Sequence, residues 1–184
     1  MKKESKIKSK LTIKRMIAIA LFTAICFVGT QLKIEVPLGG GTDTMVHLGT
    51  TAIFLASIFI GPAAGISAGI GCALFDMMSP KHVAWAIPTL IIKGLTGYSA
   101  GKICFARGAQ GNSKVQNVIA FIVGGIISLL GYFLCNWFIF YGLKPAIIKM
   151  IASLTTTGIG IIIAIPLSFV LKPIINKSDI KIYE

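Results

Sequence analysis

Long apolar runs, separated by short polar or basic segments, constrain the fold of this 184-residue chain more than any other feature. A helix that crosses a bilayer needs about 20 mostly apolar residues, or fewer where other protein supports its ends. Charged residues make up only 13% of the chain, whereas a soluble domain carries roughly 25%. The sequence therefore predicts an all-α integral membrane protein, a bundle of six transmembrane helices near 13–31, 46–60, 63–79, 84–105, 117–140 and 146–171.

The predicted spans form a single transmembrane domain over 13–172, between a basic N-terminus at 1–12 and a polar tail at 173–184. The two shortest spans are joined by GPAAG, where proline and glycine favour a break over one long helix. The first apolar run is too long for the apolar region of a typical signal peptide, so we expect it to remain as the first helix.

Basic residues indicate the orientation of the chain. Thirteen of the 18 Lys and Arg residues lie in, or at the helix ends next to, the N-terminal segment, the loop at 106–116 and the tail. Because short loops rich in Lys and Arg stay in the cytoplasm, we expect a multi-pass protein of the cell membrane with both termini cytoplasmic. These residues flank apolar runs and do not share a face with interleaved aromatics, so the net charge of +12 does not indicate nucleic-acid binding.

Polar side chains inside the predicted spans mark a candidate functional site, because ionisable groups are costly in a bilayer. Threading the helices in alternate directions brings these side chains, together with several aromatic residues, to the outer half of the bundle. Aromatic walls with a few orienting polar groups are typical of a small-molecule pocket. The candidates are His47, Asp76, Trp85, Lys93, Asn136, Trp137, Tyr141 and Lys149.

Each of these residues also has a structural interpretation. The aromatic residues could belong to the belt at the membrane surface, and Lys149 could extend toward the headgroups. Asp76 and Lys93 could form an ion pair with each other. His47 could bond to a helix end, and Asn136 could bond to a neighbouring helix.

Catalytic motifs are not apparent. The chain has no HExxH, no GxSxG and no paired carboxylates within its spans. The cysteines lie within apolar runs and form no CxxC pair, which indicates packing residues. The sequence predicts neither an enzyme nor a metal or cofactor site.

Two alanines on the first predicted helix, Ala20 and Ala24, have the spacing that allows close approach of another helix. They lie beside the basic terminus, where a partner subunit could dock.

The stretches VHLGTTAIFLASIFIGPAAGISAGIGCALFDMMS and PTLIIKGLTGYSAGKI, which cover 46–103, resemble the substrate-binding S component of energy-coupling factor (ECF) vitamin transporters. The resemblance is to the riboflavin-transporter-like branch. It implies a six-helix subunit that captures a vitamin or precursor at the outer face. It further implies delivery inward by toppling of the whole subunit, driven by a transmembrane coupling subunit and two ATPases. Consistent with an external energy source, the chain has no GxxxxGK[ST] of its own.

The resemblance also implies roles for particular residues. Ala20 and Ala24 would face the coupling subunit. The loop at 32–45 would be a lid over the pocket. The glycines at 39–41 themselves predict a hinge in this loop, which would carry Asp43, Thr44 and His47 over the pocket mouth.

The predicted pocket suits a compact, uncharged, hydrogen-bonding heterocycle. We therefore expect a hydroxymethylpyrimidine-like or pyridoxine-like substrate ahead of riboflavin. Two alternative functions remain open, a stand-alone proton-coupled carrier that uses Asp76 and Lys93, and an assembly subunit that transports nothing.

Overall fold

The computed structural model describes residues 13–37 and 43–177, and α-helix dominates both ranges. The helices are α1 (Ile13–Gln31), α2 (Gly49–Ile60), α3 (Ala64–Met78), α4 (Ala86–Phe105), α5 (Lys114–Cys135) and α6 (Leu143–Lys177). Short 3-10 turns cover Gly61–Ala63, Val83–Trp85 and Ala106–Gly108, and a π-helical turn covers Asn136–Tyr141. Two strands, β1 (Lys33–Pro37) and β2 (Asp43–His47), connect α1 to α2.

Helices α3 and α4 approach each other so closely that their contact points accept only glycine. A Cβ on Gly97 would lie 2.6 Å from the Ala64 carbonyl oxygen, and a Cβ on Gly101 would collide with the backbone of Gly61. Gly97 of α4 thus meets Ala64 at the start of α3, and Gly101, one turn later on α4, meets Gly61, which precedes α3. The two helices are therefore antiparallel. Small residues that let backbones touch are the usual basis of helix association in lipid.

Helix α2 also packs along α4, but it runs in the opposite direction to α3. The Lys93 ammonium donates to the Thr50 hydroxyl, and the Ser57 hydroxyl donates to the Gly97 carbonyl, so α2 and α4 are parallel. The chain therefore reverses between α2 and α3. The reversal falls at Gly61, whose φ of 55° is readily adopted only by glycine. The break expected in GPAAG lies at this turn.

Four segments are long and apolar enough to cross a membrane: Ile13–Gln31, Gly49–Met78, Lys114–Tyr141 and Leu143–Ile175. The second of these contains the reversal at Gly61. Its two arms have 12 and 15 residues, which is short for a hydrocarbon core of about 30 Å at a rise of about 1.5 Å per residue. The predominantly helical membrane fold is confirmed, and the number of six crossings stays a prediction.

The connection between α1 and α2 corrects the all-helical expectation. In place of a loop up to 45 and a helix from 46, β1 and β2 form an antiparallel hairpin in which Lys33 lies opposite His47. Helix α2 consequently begins three residues later than predicted, at Gly49. The strands KIEVP and DTMVH are rich in β-branched residues, which favour extended backbone. The expected glycine hinge, at 39–41, lies outside the described residues.

A buried apolar cluster lies in the half of the bundle away from the hairpin. Phe54 and Phe121 are fully buried and stack with ring centroids 4.8 Å apart, beside Ile58 and Cys104. The cysteines are free thiols, and Cys104 is a packing residue of this core, as the sequence indicated.

We expect Gly101→Ala to destabilise the protein in detergent, because the added methyl group cannot fit against Gly61. Overpacking of this kind costs about 1–3 kcal/mol. The matched control on the same helix is Gly94→Ala, whose Cβ would meet only the Gly65 carbonyl oxygen at 3.6 Å. Thermal unfolding midpoints of the two variants compare the sites, and equal midpoints would contradict the close α3–α4 contact.

Candidate functional site

A cavity of about 420 Å³ opens at the hairpin end of the bundle. This volume lies within the range of small-molecule sites, roughly 300–1,000 Å³. Helices α2 to α6 and the hairpin all contribute to its lining. The lining residues are Glu35, Met45, His47, Thr50, Asp76, Lys81, His82, Trp85, Thr89, Lys93, Ser128, Tyr132, Asn136, Tyr141, Lys149, Ser153, Thr156 and Thr157.

Lys93 supplies a buried positive charge to this cavity, with only 4% of its surface exposed. Its ammonium donates to the Thr50 hydroxyl at 3.3 Å and to the Ser128 hydroxyl at 3.2 Å. The same nitrogen lies 5.2 Å from the ring centroid of Tyr132, a cation–π distance. Neutral groups from α2 and α5 thus surround the charge.

Asp76 lies in the wall of the same cavity and is 3% exposed. The Tyr132 hydroxyl donates to the Thr89 hydroxyl at 3.1 Å, and Thr89 in turn interacts with Asp76. Within the described ranges, no ion pair joins Asp76 to Lys93. The direct ion pair considered from the sequence is therefore not formed, and both charged groups remain able to meet a ligand.

Asn136 carries a hydrogen-bond acceptor that the described part of the chain leaves unused. Its Nδ2 donates to the Tyr132 carbonyl at 2.7 Å, which holds the amide in place. Its Oδ1 is buried and has no hydrogen-bond partner among the described residues. A buried acceptor without a partner costs about 1–3 kcal/mol. The residue begins the π-helical turn Asn136–Tyr141, a backbone feature frequent at functional sites.

His47 combines the two roles left open by the sequence. Its Nδ1 accepts a hydrogen bond from the Gly49 N–H at 3.1 Å, at the start of α2, and its side chain lines the cavity. Burial, with a smaller contribution from the positive charge of Lys93, lowers the pKa of His47 to about 3. A neutral imidazole whose Nδ1 accepts carries its proton on Nε2, so that nitrogen can donate to a ligand.

The predicted aromatic residues divide into two groups. Trp85 stacks on Phe140 with centroids 4.1 Å apart, and it lines the cavity. Tyr141 also lines the cavity, with the Lys149 ammonium 4.7 Å from its ring centroid. Trp137 is not in the lining and is 38% exposed, in keeping with a residue of the membrane-surface belt.

An ion-pair cluster at the cavity mouth connects the hairpin to the turn between α3 and α4. The Glu35 carboxylate accepts from Lys33 at 2.7 Å and from Lys81 at 3.4 Å. The hydrogen bond from Lys33 is the largest of the effects that lower the pKa of Glu35. His82 also lies here, and burial, followed by the nearby charge of Lys33, lowers its pKa. Burial therefore favours the neutral form of His82, as it does for His47.

Sequence reasoning missed most of the hydroxyl-bearing lining residues, the mouth cluster and one methionine. These residues are Glu35, Met45, Thr50, Lys81, His82, Thr89, Ser128, Tyr132, Ser153, Thr156 and Thr157. One available signal was the spacing of Tyr132, which lies one helical turn before Asn136. Another was Lys93 itself, since a buried ammonium needs acceptors from neighbouring helices.

The remaining candidates are not among the described lining residues. Asp43 and Thr44 belong to β2 by their backbone, while their side chains lie outside the description, so their lid role stays a prediction. Ala20 and Ala24 are exposed on α1.

A helical membrane protein with a polar and aromatic cavity at one end is a small-molecule binding or transport protein by class. The family model described as "ECF-type riboflavin transporter, S component" matches residues 10–173. The chain belongs to this family. It is a substrate-binding S component of an ECF-type transporter, and the family is not one of enzymes.

A solved structure of the S component of a bacterial ECF transporter is similar to this chain, with a TM-score of 0.63 and 22% sequence identity. The match covers 89% of this chain and 98% of that one. At this identity the likeness shows the shared fold. The comparison with curated proteins found no match.

We expect Lys93→Met to leave the thermal unfolding midpoint of the ligand-free protein unchanged or higher, because the buried charge has no carboxylate partner. Losing one member of a buried ion pair would cost about 3–5 kcal/mol instead. The control is Lys172→Met at the other end of the bundle, which removes the bond that the Lys172 ammonium donates to the Ile58 carbonyl at 3.1 Å and, with no carboxylate partner lost, should also change the midpoint little. A large drop for Lys93→Met would mean that the ammonium is paired.

Proposed function

We propose that this S component binds a flat heterocyclic vitamin in the cavity, with riboflavin as the first candidate. The observation that carries the proposal is that the cavity holds both an unused acceptor, Asn136 Oδ1, and a buried donor, Lys93 Nζ. Both groups contact Tyr132, so they lie in one part of the cavity. A ring edge that carries an N–H beside a carbonyl would satisfy the two together.

The size and lining of the cavity support a ligand larger than a single ring. About 420 Å³ exceeds what one pyrimidine or pyridine ring fills. Trp85 offers a face on which a flat ring system can stack. Hydroxyls of Ser153, Thr156 and Thr157 on α6 suit a polyhydroxylated chain. With the name of the family, these features favour riboflavin over the pyrimidine and pyridoxine-like ligands that the sequence favoured.

The transport cycle is part of the same proposal. The subunit captures its ligand at the outer face and releases it inward after toppling, with a transmembrane coupling subunit and two ATPases. Six crossings with both termini in the cytoplasm, as the sequence predicts, would put the cavity at the outer face. The exposure of Ala20 and Ala24 supports a docking role for α1, since small exposed residues let a partner helix approach closely.

The hairpin is the proposed lid, with Asp43 and Thr44 near its tip. Glu35 on β1 meets Lys81, which belongs to the turn before α4, so the lid is held by an ion pair in addition to its backbone. On the opposite side, the Thr156 hydroxyl of α6 donates to the Met45 carbonyl at 3.1 Å.

We expect Asn136→Leu to weaken riboflavin binding by about 5- to 150-fold, since a lost bond to a buried polar group costs about 1–3 kcal/mol. The control is Asn117→Leu, because Asn117 is equally buried but lies outside the cavity lining, at the opposite end of α5. Titration of purified protein, followed by quenching of flavin fluorescence, measures both variants.

A competition panel decides the ligand in the same assay. Displacement of riboflavin by hydroxymethylpyrimidine or pyridoxine at lower concentration would transfer the assignment to the smaller ring while leaving the site in place. If no vitamin of the panel binds, the proposed function is wrong.

We expect the double variant Ala20→Leu with Ala24→Leu to abolish vitamin uptake by cells while purified protein binds its ligand normally. Bulky side chains on α1 would prevent contact with the coupling subunit, and the cavity lies elsewhere. Co-purification with the coupling module provides the measurement. Uptake in liposomes that contain this chain alone would instead favour the stand-alone carrier.

A further inference from the structure

A second groove runs along the outside of the bundle, between α1, the start of α3 and α4. It has a volume of about 670 Å³, and its lining is mostly apolar. Its lining residues are Arg15, Ile19, Pro62, Ala63, Gly65, Ile66, Leu90, Ile91, Gly94, Leu95 and Tyr98. None of them lines the candidate substrate cavity, so the groove is a separate feature.

One end of this groove is cationic. Arg15 and Tyr98 both line the groove, and the Lys102 ammonium lies 5.8 Å from the Tyr98 ring centroid. Lys14 adds an exposed charge next to Arg15. These residues come from the start of α1 and the end of α4, so the cationic end is remote from the hairpin and from the cavity mouth.

The depth of the groove depends on a glycine that helix packing does not require. A Cβ on Gly94 would meet only the Gly65 carbonyl oxygen, at the ordinary contact distance of 3.6 Å. The reverse substitution differs, because a Cβ on Gly65 would lie 2.8 Å from the Gly94 carbonyl oxygen. Gly65 is therefore needed for close packing, whereas the missing side chain at Gly94 leaves the groove open.

The groove lies on a different face of α1 from the proposed docking alanines. At about 100° per residue, Ala20 and Ala24 lie about 140° around the helix from Arg15 and Ile19. A coupling subunit placed on the alanines would leave the groove facing lipid.

We propose that this groove binds an anionic phospholipid, with one acyl chain along Leu90, Ile91 and Leu95 and the phosphate held by Arg15 and Lys102. A guanidinium recognises phosphate through paired hydrogen bonds, and an ammonium adds a point charge. Basic pockets between membrane helices on the cytoplasmic side are typical sites for anionic headgroups. The charge at one end favours a lipid over an uncharged helix of another protein.

The test uses native mass spectrometry of the purified full chain with dioleoyl phosphatidylglycerol and dioleoyl phosphatidylcholine. These lipids share acyl chains and differ in headgroup charge. We expect several-fold more bound phosphatidylglycerol, and loss of that preference in the double variant Arg15→Gln with Lys102→Gln. The control is Lys114→Gln, a lysine at the same end of the bundle that lies over Phe169 on another face.

A third variant separates the acyl-chain site from simple charge attraction. Gly94→Leu fills the groove without removing a charge, and it should reduce phosphatidylglycerol binding by a similar factor. Equal binding of the two lipids by the unaltered protein would overturn the proposal. So would a loss in Lys114→Gln as large as in the double variant, or full competition by glycerol phosphate, which lacks acyl chains. Failed assembly with the coupling module in Gly94→Leu, with lipid binding intact, would make the groove a protein interface and also overturn it.

Discussion

The close contact between α4 and the start of α3 determines the positions of the other elements. At Gly101 and Gly61 the two backbones touch, and the positive φ of Gly61 turns the chain back on itself there. Because of that reversal, α2 and α3 both pack on α4, in opposite directions. This arrangement brings Thr50 beside Lys93 and places Asp76 in the wall of the same cavity. In a bilayer such contact depends on small residues, because lipid chains are as apolar as leucine and provide no hydrophobic force between helices.

The cavity combines buried ionisable groups with incomplete internal pairing. Lys93 is surrounded by hydroxyls and an aromatic ring, and Asp76 has no cationic partner in the described ranges. Asn136 has its amide nitrogen fixed and its oxygen unused. Such groups are costly in an empty site and become satisfied when a polar ligand enters, which couples binding to the energetics of the cavity. A cluster of buried apolar residues packs in the other half of the bundle.

Charged residues of the site could be found from the sequence because they interrupt apolar runs, as Asp76 and Lys93 do. Hydroxyl residues could not be distinguished in the same way. Serine and threonine are common in membrane helices, where they bond to the carbonyl one turn earlier, as Thr96 does to Ile92. The hairpin was also missed, because two five-residue strands beside long apolar helices give a weak local signal, although their β-branched residues favour extended structure.

The sequence by itself determined that this is a membrane protein, where its helices approximately lie and which charged residues belong to the site. The length of an apolar run and a charged residue within it are both local properties of the chain. Only the tertiary structure decided which charges pair. The reversal at Gly61 and the register of α4 against α2 give Lys93 two hydroxyl partners in place of Asp76. The same packing decided that Trp85 lines the cavity while Trp137 lies outside the lining and is partly exposed. These outcomes depend on the rotation and depth of each helix, which are determined by contacts between segments distant in the chain.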